Sequence, residues 1–355
     1  MHKVLLVVLL LSCERIQAQI KTDTFTFSFE GKRYSGLLDS PTQTKASALV
    51  ILVPGSGRTN FVESNGYYKL RTRFAEQGIA CLLWDKAGCG KSEGVFDYNQ
   101  TVQNSASEVI AAITEVKSRH ITGAEKIGLW GISRAGWICP LVITQYPIAF
   151  WISVSGPDGE ENFQYLLEKN FAIEGRSKSQ TRKLVNEWRK GIAIARHGGT
   201  FEENLKATED LRRDSFDIYL TGGSKPTREG YLAWQKKIET GEITFDDKTG
   251  LQIYVPDFDK VLSKINCPVL AIFGDKDCNI DWKKTRALYK RTIGKNSAAS
   301  LTTKVLPNCD HGMLQCKTGG IREDLTNAVS PPEYYTTMLS WAKEKGFTSS
   351  ASVEN

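Results

Sequence analysis

Four unbroken apolar runs, separated by stretches of helical periodicity, constrain this chain more than any other feature. Ala46–Val53, Ile79–Trp84, Ile127–Ile132 and Phe150–Val154 carry almost no polar interruption. A strand with one wet face alternates apolar and polar residues, so a continuous run reads as a strand buried on both faces. Between the first two runs, Tyr67, Leu70 and Phe74 recur at helical spacing before Gly78. Between the second and third, Ala106, Val109, Ile110, Ile113 and Val116 form one helical face. Strands alternating with helices predict a mostly parallel α/β sheet with helices on both faces. Ahead of it, Thr24–Phe29 alternates strictly, Glu30-Gly31 turns, and Lys32–Leu38 returns as a hairpin.

The rhythm breaks near residue 158. From there to about 257 the chain carries charge-rich helical patches with Phe163, Tyr165, Phe171, Trp188, Tyr231 and Trp234, and no buried-strand run. The alternation resumes at Cys267–Phe273 and Leu301–Leu306, and an amphipathic segment, Pro332–Lys345, follows. A sheet domain of residues 19–157 and 258–347, interrupted by a helical cap at 158–257, is the expected organisation, with a disordered polar tail over 348–355. With 355 residues, 41% hydrophobic and 24% charged, the composition is that of an ordinary globular protein.

Lys3 followed by the aliphatic run Val4–Leu11 and the small residue Ala18 reads as a secretory signal over residues 1–18. Export to the periplasm or medium follows as the expectation. Leu10-Leu-Ser-Cys13 offers the alternative of a lipoprotein anchored through Cys13. No segment reaches the roughly 20 apolar residues of a membrane span. Cleavage after Ala18 removes Lys3, Glu14 and Arg15 and takes the net charge from +6 to +5. That charge is spread without a Lys/Arg block, so a nucleic-acid partner is not expected. The remaining cysteines (81, 89, 139, 267, 278, 309, 316) contain no C-x-x-C pair, and neither a metal site nor a cofactor is expected.

The third apolar run ends in Gly131-Ile-Ser133-Arg-Ala-Gly136 and opens into a helix-compatible segment. This is the strand–turn–helix context in which a strained turn presents a nucleophilic serine. Gly131 and Ala135, two positions either side of Ser133, are small enough to let strand and helix approach. A serine hydroxyl needs a general base. Of the four histidines, His2 lies in the signal, His120 ends a helix and His197 sits in the charged insertion. His311 follows Leu301–Leu306 at a strand's C-terminal end, where open α/β sheets bind ligands. The base needs a carboxylate, and Asp277 past Pro268–Gly274 is the first choice, with Asp275 in reserve. Asp85, after Ile79–Trp84, is read as holding its own Gly-rich loop. Arg134 and either Ser56 or Gly57, in the loop after Ala46–Val53, are the expected oxyanion-hole amides. Gly90-Lys91-Ser92 lacks the first glycine of a P-loop, and Gly55-Ser-Gly57 lacks the third glycine of a dinucleotide fingerprint. If Asp277 and His311 meet, Cys278 and Cys309 become neighbours, and a Cys278–Cys309 disulfide is expected in an oxidising compartment.

The order Ser133…Asp277…His311, with Val53-Pro-Gly-Ser-Gly57, Trp84-Asp-Lys-Ala-Gly-Cys-Gly-Lys-Ser92 and Asn308–Gly312, resembles the α/β-hydrolase superfamily. The blocks run from about residue 22 to 345 and are similar to exported bacterial esterases and serine-aminopeptidase-like members. Ala135 replaces the usual last glycine of the serine motif, and Ala87 stands where arginine is usual. The resemblance implies an eight-stranded, mostly parallel sheet with a helical cap after the sixth strand. It also implies a serine hydrolase that cleaves small-molecule carboxylic esters through a Ser-His-Asp triad and an acyl-enzyme. The same triad serves peptidases of short peptides, and the many acids of the cap do not separate the two. A non-catalytic binding protein on this fold is the rival from another class; an intact triad argues against it.

Overall fold

The computed structural model describes residues 20–348. The signal, the lipoprotein site at Cys13 and the tail beyond 348 lie outside these residues. The hairpin is β1 (Ile20–Phe29) and β2 (Lys32–Pro41), and its turn residues Glu30 and Gly31 have φ of 49° and 70°. Positive φ at both central positions is what a type I′ turn, whose twist matches that of the strands, requires. Then come β3 (Ala48–Val53), α1 (Phe61–Ser64), α2 (Tyr68–Ala75), β4 (Ile79–Trp84), α3 (Val102–Ser118), β5 (Ile127–Ile132), α4 (Ala135–Gln145) and β6 (Phe150–Val154).

The insertion follows β6. It contains α5 (Phe163–Ile173), α6 (Lys178–Arg196), α7 (Phe201–Ala207), α8 (Glu209–Arg213), α9 (Ser215–Leu220) and α10 (Arg228–Glu239). A two-stranded ladder of β7 (Thr244–Phe245) and β8 (Gln252–Ile253) completes it, and α11 (Phe258–Ser263), whose Phe258 and Leu262 pack in the core of the sheet domain, leads back to the sheet. The sheet resumes with β9 (Pro268–Gly274), α12 (Trp282–Arg291) and β10 (Ser300–Leu306), and α13 (Pro332–Glu344) follows. The eight strands lie in the order β1-β2-β4-β3-β5-β6-β9-β10; β1/β2 and β2/β4 are antiparallel and every later pair is parallel. The chain goes outward from β3 to β4 and then crosses back to β5. The C-terminal strand ends beside that reversal are where such a sheet holds ligands.

The unbroken apolar runs have a simple cause. Successive side chains of a strand face opposite ways, and both faces of this sheet are covered. Leu49, Ile51 and Val53 pack with α3, α4 and α12, whereas Ala48, Val50 and Leu52 pack with α2 and α13. The insertion builds a separate small core from Leu167, Phe171, Leu184, Val185, Leu211 and Phe216. Its helices start on strong signals: Ser177 with Gln180 and Thr200 with Glu203 form reciprocal capping boxes.

One buried ion pair ties the hairpin to α2. Arg71 Nη1 donates to Asp39 Oδ2 at 2.5 Å, and both side chains are essentially inaccessible. Arg71 also donates to Gly66 O and Asn65 Oδ1, and Asp39 accepts from Thr22 Oγ1 at 2.7 Å. Arg71→Met leaves a carboxylate buried without its cation, so it should lower unfolding free energy by about 3–5 kcal/mol in urea titrations. Adding Asp39→Leu should recover most of that loss, because two apolar groups carry no uncompensated charge.

Candidate active site

Ser133 occupies the step between β5 and α4 with φ of 56°, in the left-handed region that L-residues avoid. Its N–H donates to Val154 O at the end of β6, and its carbonyl accepts from Gly136 N at 2.7 Å. The turn is this tight only because residue 131 lacks a side chain. A Cβ there would sit 2.7 Å from Cys139 Sγ and 2.9 Å from the Ala135 Cβ. The Ser133 hydroxyl itself has no hydrogen-bond partner among the described residues.

The loops after β9 and β10 are laced together. Asp275 N–H donates to Leu306 O at 3.1 Å and Lys276 N–H to Cys309 O at 3.0 Å. The approach is close enough that a Cβ on Gly274 would lie 2.3 Å from Cys309 O. This lacing brings Asp277 Oδ2 to 2.8 Å from His311 Nδ1. The other carboxylate oxygen, Oδ1, accepts from Asn279 N–H at 2.8 Å and Ile280 N–H at 3.1 Å. A carboxylate at Nδ1 places the imidazole proton there and leaves Nε2 as the basic nitrogen. Ser155, directly after β6, donates its hydroxyl to His311 O at 2.8 Å. The histidine is thereby tied to the strand next to β5. Burial disfavours the His311 cation, but the charge and hydrogen bond of Asp277, with the charge of Asp310, outweigh it and raise its pKa above the ordinary value.

Asp275 is elsewhere: its carboxylate accepts from Asn308 N–H at 2.7 Å. His197 caps α6 on the surface with Nδ1 against Ala193 O, and His120 lies in the turn after α3 with φ of 52°. Asp85 departs from the sequence expectation. Its carboxylate does not bond the amides of its own loop but accepts from Phe61 N–H at 2.5 Å and Val62 N–H at 3.4 Å, pinning the segment after β3. Its own loop is held instead by Ser92, whose hydroxyl donates to Asp85 O at 2.6 Å. The expected Cys278–Cys309 disulfide is not formed, and both are free thiols. Cys278 Sγ faces the carbonyls of Lys276 and Thr318, whereas Cys309 Sγ faces that of Pro307. The loops meet through backbone bonds and the Asp–His contact, and the two sulfurs face different carbonyls.

Ser56 and Arg134 border one cavity of about 470 Å³. Neither backbone N–H has an acceptor among the described residues. Among the described residues the Arg134 guanidinium forms no carboxylate pair; it donates to Gln100 O and to Ser105 Oγ at 3.1 Å. Trp137 and Tyr254, stacked at 4.2 Å, line the same cavity with Trp234, Tyr98 and Ile253. Of the aromatics singled out in the insertion, only Trp234 reaches this cavity. Phe171 lies in the insertion's own core, against which Phe163 and Trp188 pack, and Tyr165 donates its hydroxyl to Asp277 O at 3.2 Å. Sequence reasoning missed Tyr254, which lies in a short segment without periodicity. It also missed Trp137, read there only as the end of the serine motif. Among the described residues, no group of three or more His, Cys, Asp or Glu side chains is arranged to hold a metal ion, and no helix is long and apolar enough to cross a membrane.

A family model described as serine aminopeptidase, S33, matches residues 44–159, which run from β3 into the start of the insertion and include Ser133. The acyltransferase drtE of Aspergillus calidoustus is 25% identical over 109 residues, 28% of this chain and 35% of that protein, so the likeness spans about a third of the relative's length. The esterase Pf2001 of Pyrococcus furiosus superposes with a TM-score of 0.51 at 14% identity, covering 92% of this chain and 91% of that one. A proline iminopeptidase of Mycobacterium smegmatis gives 0.51 at 14% identity over 91% and 98%. At such identities the structural likeness is one of fold. Taken with the strand order, it gives this chain the α/β-hydrolase fold, and the segment similar to serine aminopeptidases is the one that carries the Ser133 turn.

Proposed function

We propose that the protein hydrolyses carboxylic esters of small molecules through Ser133, His311 and Asp277. The observation that carries this reading is the 2.8 Å Asp277–His311 bond at the same sheet edge as a serine in a strained turn. His311 Nε2 takes the Ser133 proton as Oγ attacks the acyl carbon. The amides of Arg134 and Ser56 receive the oxyanion, and Gly57 is the reserve donor. His311 returns the proton to the leaving alcohol, and water releases the acyl-enzyme by the same steps. The cavity between Trp137, Tyr254 and Trp234 suits an apolar or aromatic substituent of the ester, with the insertion serving as its lid.

A second reading, cleavage of aminoacyl amides, is favoured by Glu161 at the start of the insertion. This carboxyl forms no ion pair among the described residues, and burial pushes its pKa up to about 7. Such a group could bind a substrate ammonium. The basic start and aliphatic run of residues 3–11 support export, and the mass of the mature N-terminus separates cleavage after Ala18 from lipidation at Cys13.

A fluorophosphonate probe should label the folded protein at Ser133 alone, as read by peptide mass spectrometry. p-Nitrophenyl esters should be turned over faster than aminoacyl p-nitroanilides. Absence of a Ser133 adduct in folded protein would overturn the enzyme reading; a reversed substrate preference would shift it to the peptidase.

A further inference from the structure

Lys86, two residues after β4, is half-buried yet has no carboxylate partner among the described residues. Its Nζ donates instead to two backbone carbonyls of one loop, Gly55 O at 2.5 Å and Gly57 O at 2.8 Å. We propose that Lys86 is a positioning residue of the oxyanion pocket, whose ammonium clamps these carbonyls and so aims the Ser56 N–H at the substrate oxygen above Ser133. This rests on the hydrolase reading given above.

The orientation follows from the peptide plane. No peptide bond among the described residues is cis, so each carbonyl points opposite to the N–H of the next residue. Holding the Gly55 carbonyl against Lys86 sends the Ser56 N–H out of the other side of the loop. That N–H has no acceptor among the described residues, and its residue shares a cavity with Arg134, the other candidate donor. The loop lies against the nucleophile, because a Cβ built on Gly55 would be 3.1 Å from the Ser133 Cβ.

A clamp is needed here for a physical reason. Gly55 and Gly57 flank Ser56, and Gly57 has φ of 88°, so the segment has wide conformational freedom of its own. An oxyanion donor that must reorient during the reaction loses most of its advantage over water. The rest of the segment is fixed from the same stretch of chain. Lys86 N–H donates to Thr59 Oγ1 at 2.8 Å, and Asp85 holds the amides of Phe61 and Val62. Lys86 is the member of this set that reaches the part nearest Ser133. A cation on the Gly55 carbonyl also polarises that amide, which strengthens the Ser56 N–H as a donor.

The groups that act on the ammonium are Arg134 at the start of α4, Glu108 on α3 and Cys89 in its own loop. Burial and the Arg134 charge lower the Lys86 pKa to about 8, against the opposing influence of Glu108 and Cys89. The clamp is therefore charged below about pH 8 and weakens as pH rises through that value. This adds an alkaline limb to kcat.

The test compares the full-length wild type with Lys86→Met and Lys86→Arg on p-nitrophenyl butyrate, with n-butylboronic acid as a probe that forms a tetrahedral adduct on serine. Lys86→Met should lower kcat about 10- to 100-fold, less than outright loss of one donor, which costs on the order of 10²–10³-fold. Its KM should stay within about twofold, because the donor acts on the transition state. Boronate affinity should fall in parallel with kcat. Lys86→Arg keeps two donors and a charge that does not titrate, so it should restore kcat to within about threefold and abolish the alkaline limb. Should the methionine variant not fold, the arginine variant decides: loss of the limb supports the clamp, and a profile identical to wild type overturns it. Folded Lys86→Met with unchanged kcat and boronate affinity overturns this inference alone. A wild type that turns over no ester overturns the hydrolase reading and this inference with it.

Discussion

Ser133→Ala is expected to reduce kcat on p-nitrophenyl esters by on the order of 10⁶-fold, close to the limit of detection, while leaving the fold intact. The size of the effect reflects what is removed. Without the hydroxyl there is no acyl-enzyme, and the proposed oxyanion amides of Arg134 and Ser56 would only polarise a carbonyl that water must attack unaided. Thermal unfolding should move by no more than a few degrees, because Oγ makes no hydrogen bond among the described residues and alanine carries the same left-handed backbone strain. Turnover that survives the substitution, with no change in unfolding, would place the nucleophile elsewhere.

Asp277→Asn should cost on the order of 10⁴-fold in kcat. The asparagine side chain is nearly isosteric, and its oxygen can still accept from the Asn279 and Ile280 amides, so the loop should hold. Its NH₂ group, however, donates to His311 Nδ1 and so moves the imidazole proton to Nε2, the nitrogen that must accept from Ser133. The imidazolium formed in the transition state also loses its counter-charge. pH supplies a second readout. Wild-type His311 is raised above the ordinary value of about 6.5. Since only neutral His311 can act as base, activity should be lost as pH falls through a midpoint above about 6.5. In Asp277→Asn the raising charge is gone and burial acts with less opposition, so the acid limb of the residual activity should move to lower pH. A limb that stays put would remove Asp277 from the assignment.

Much of the sheet was legible because burial on both faces leaves an unmistakable trace. The runs at 46–53, 79–84, 127–132 and 150–154 have no polar side to hide, and β3, β4, β5 and β6 fall on them. The helix α12 carries no comparable trace; Trp282–Arg291 is dominated by charge and buries only Thr285, Leu288 and Tyr289. The insertion was legible as helical but not in its role. Phe163, Phe171 and Trp188 read alike with Trp234 in a charged background, yet three of them serve a private core and one faces the cavity. The disulfide expectation shows the same limit. Two cysteines in loops that meet need not meet themselves, since their Cβ directions depend on the turn each loop makes.

Sequence order alone marked out the candidate set of chemistry-bearing residues. A serine between small residues at a strand end, one histidine outside signal, helix end and insertion, and an aspartate past the preceding strand are facts of composition and spacing. Tertiary structure decided which of two aspartates meets the histidine, because only the lacing of the β9 and β10 loops at Gly274 turns Asp277 inward and Asp275 toward Asn308. It likewise decided that Asp85 and Lys86, residues of the block after β4, hold the loop after β3. Contacts between segments distant in sequence leave no period in the chain. They exist only once β3 and β4 lie side by side in the sheet.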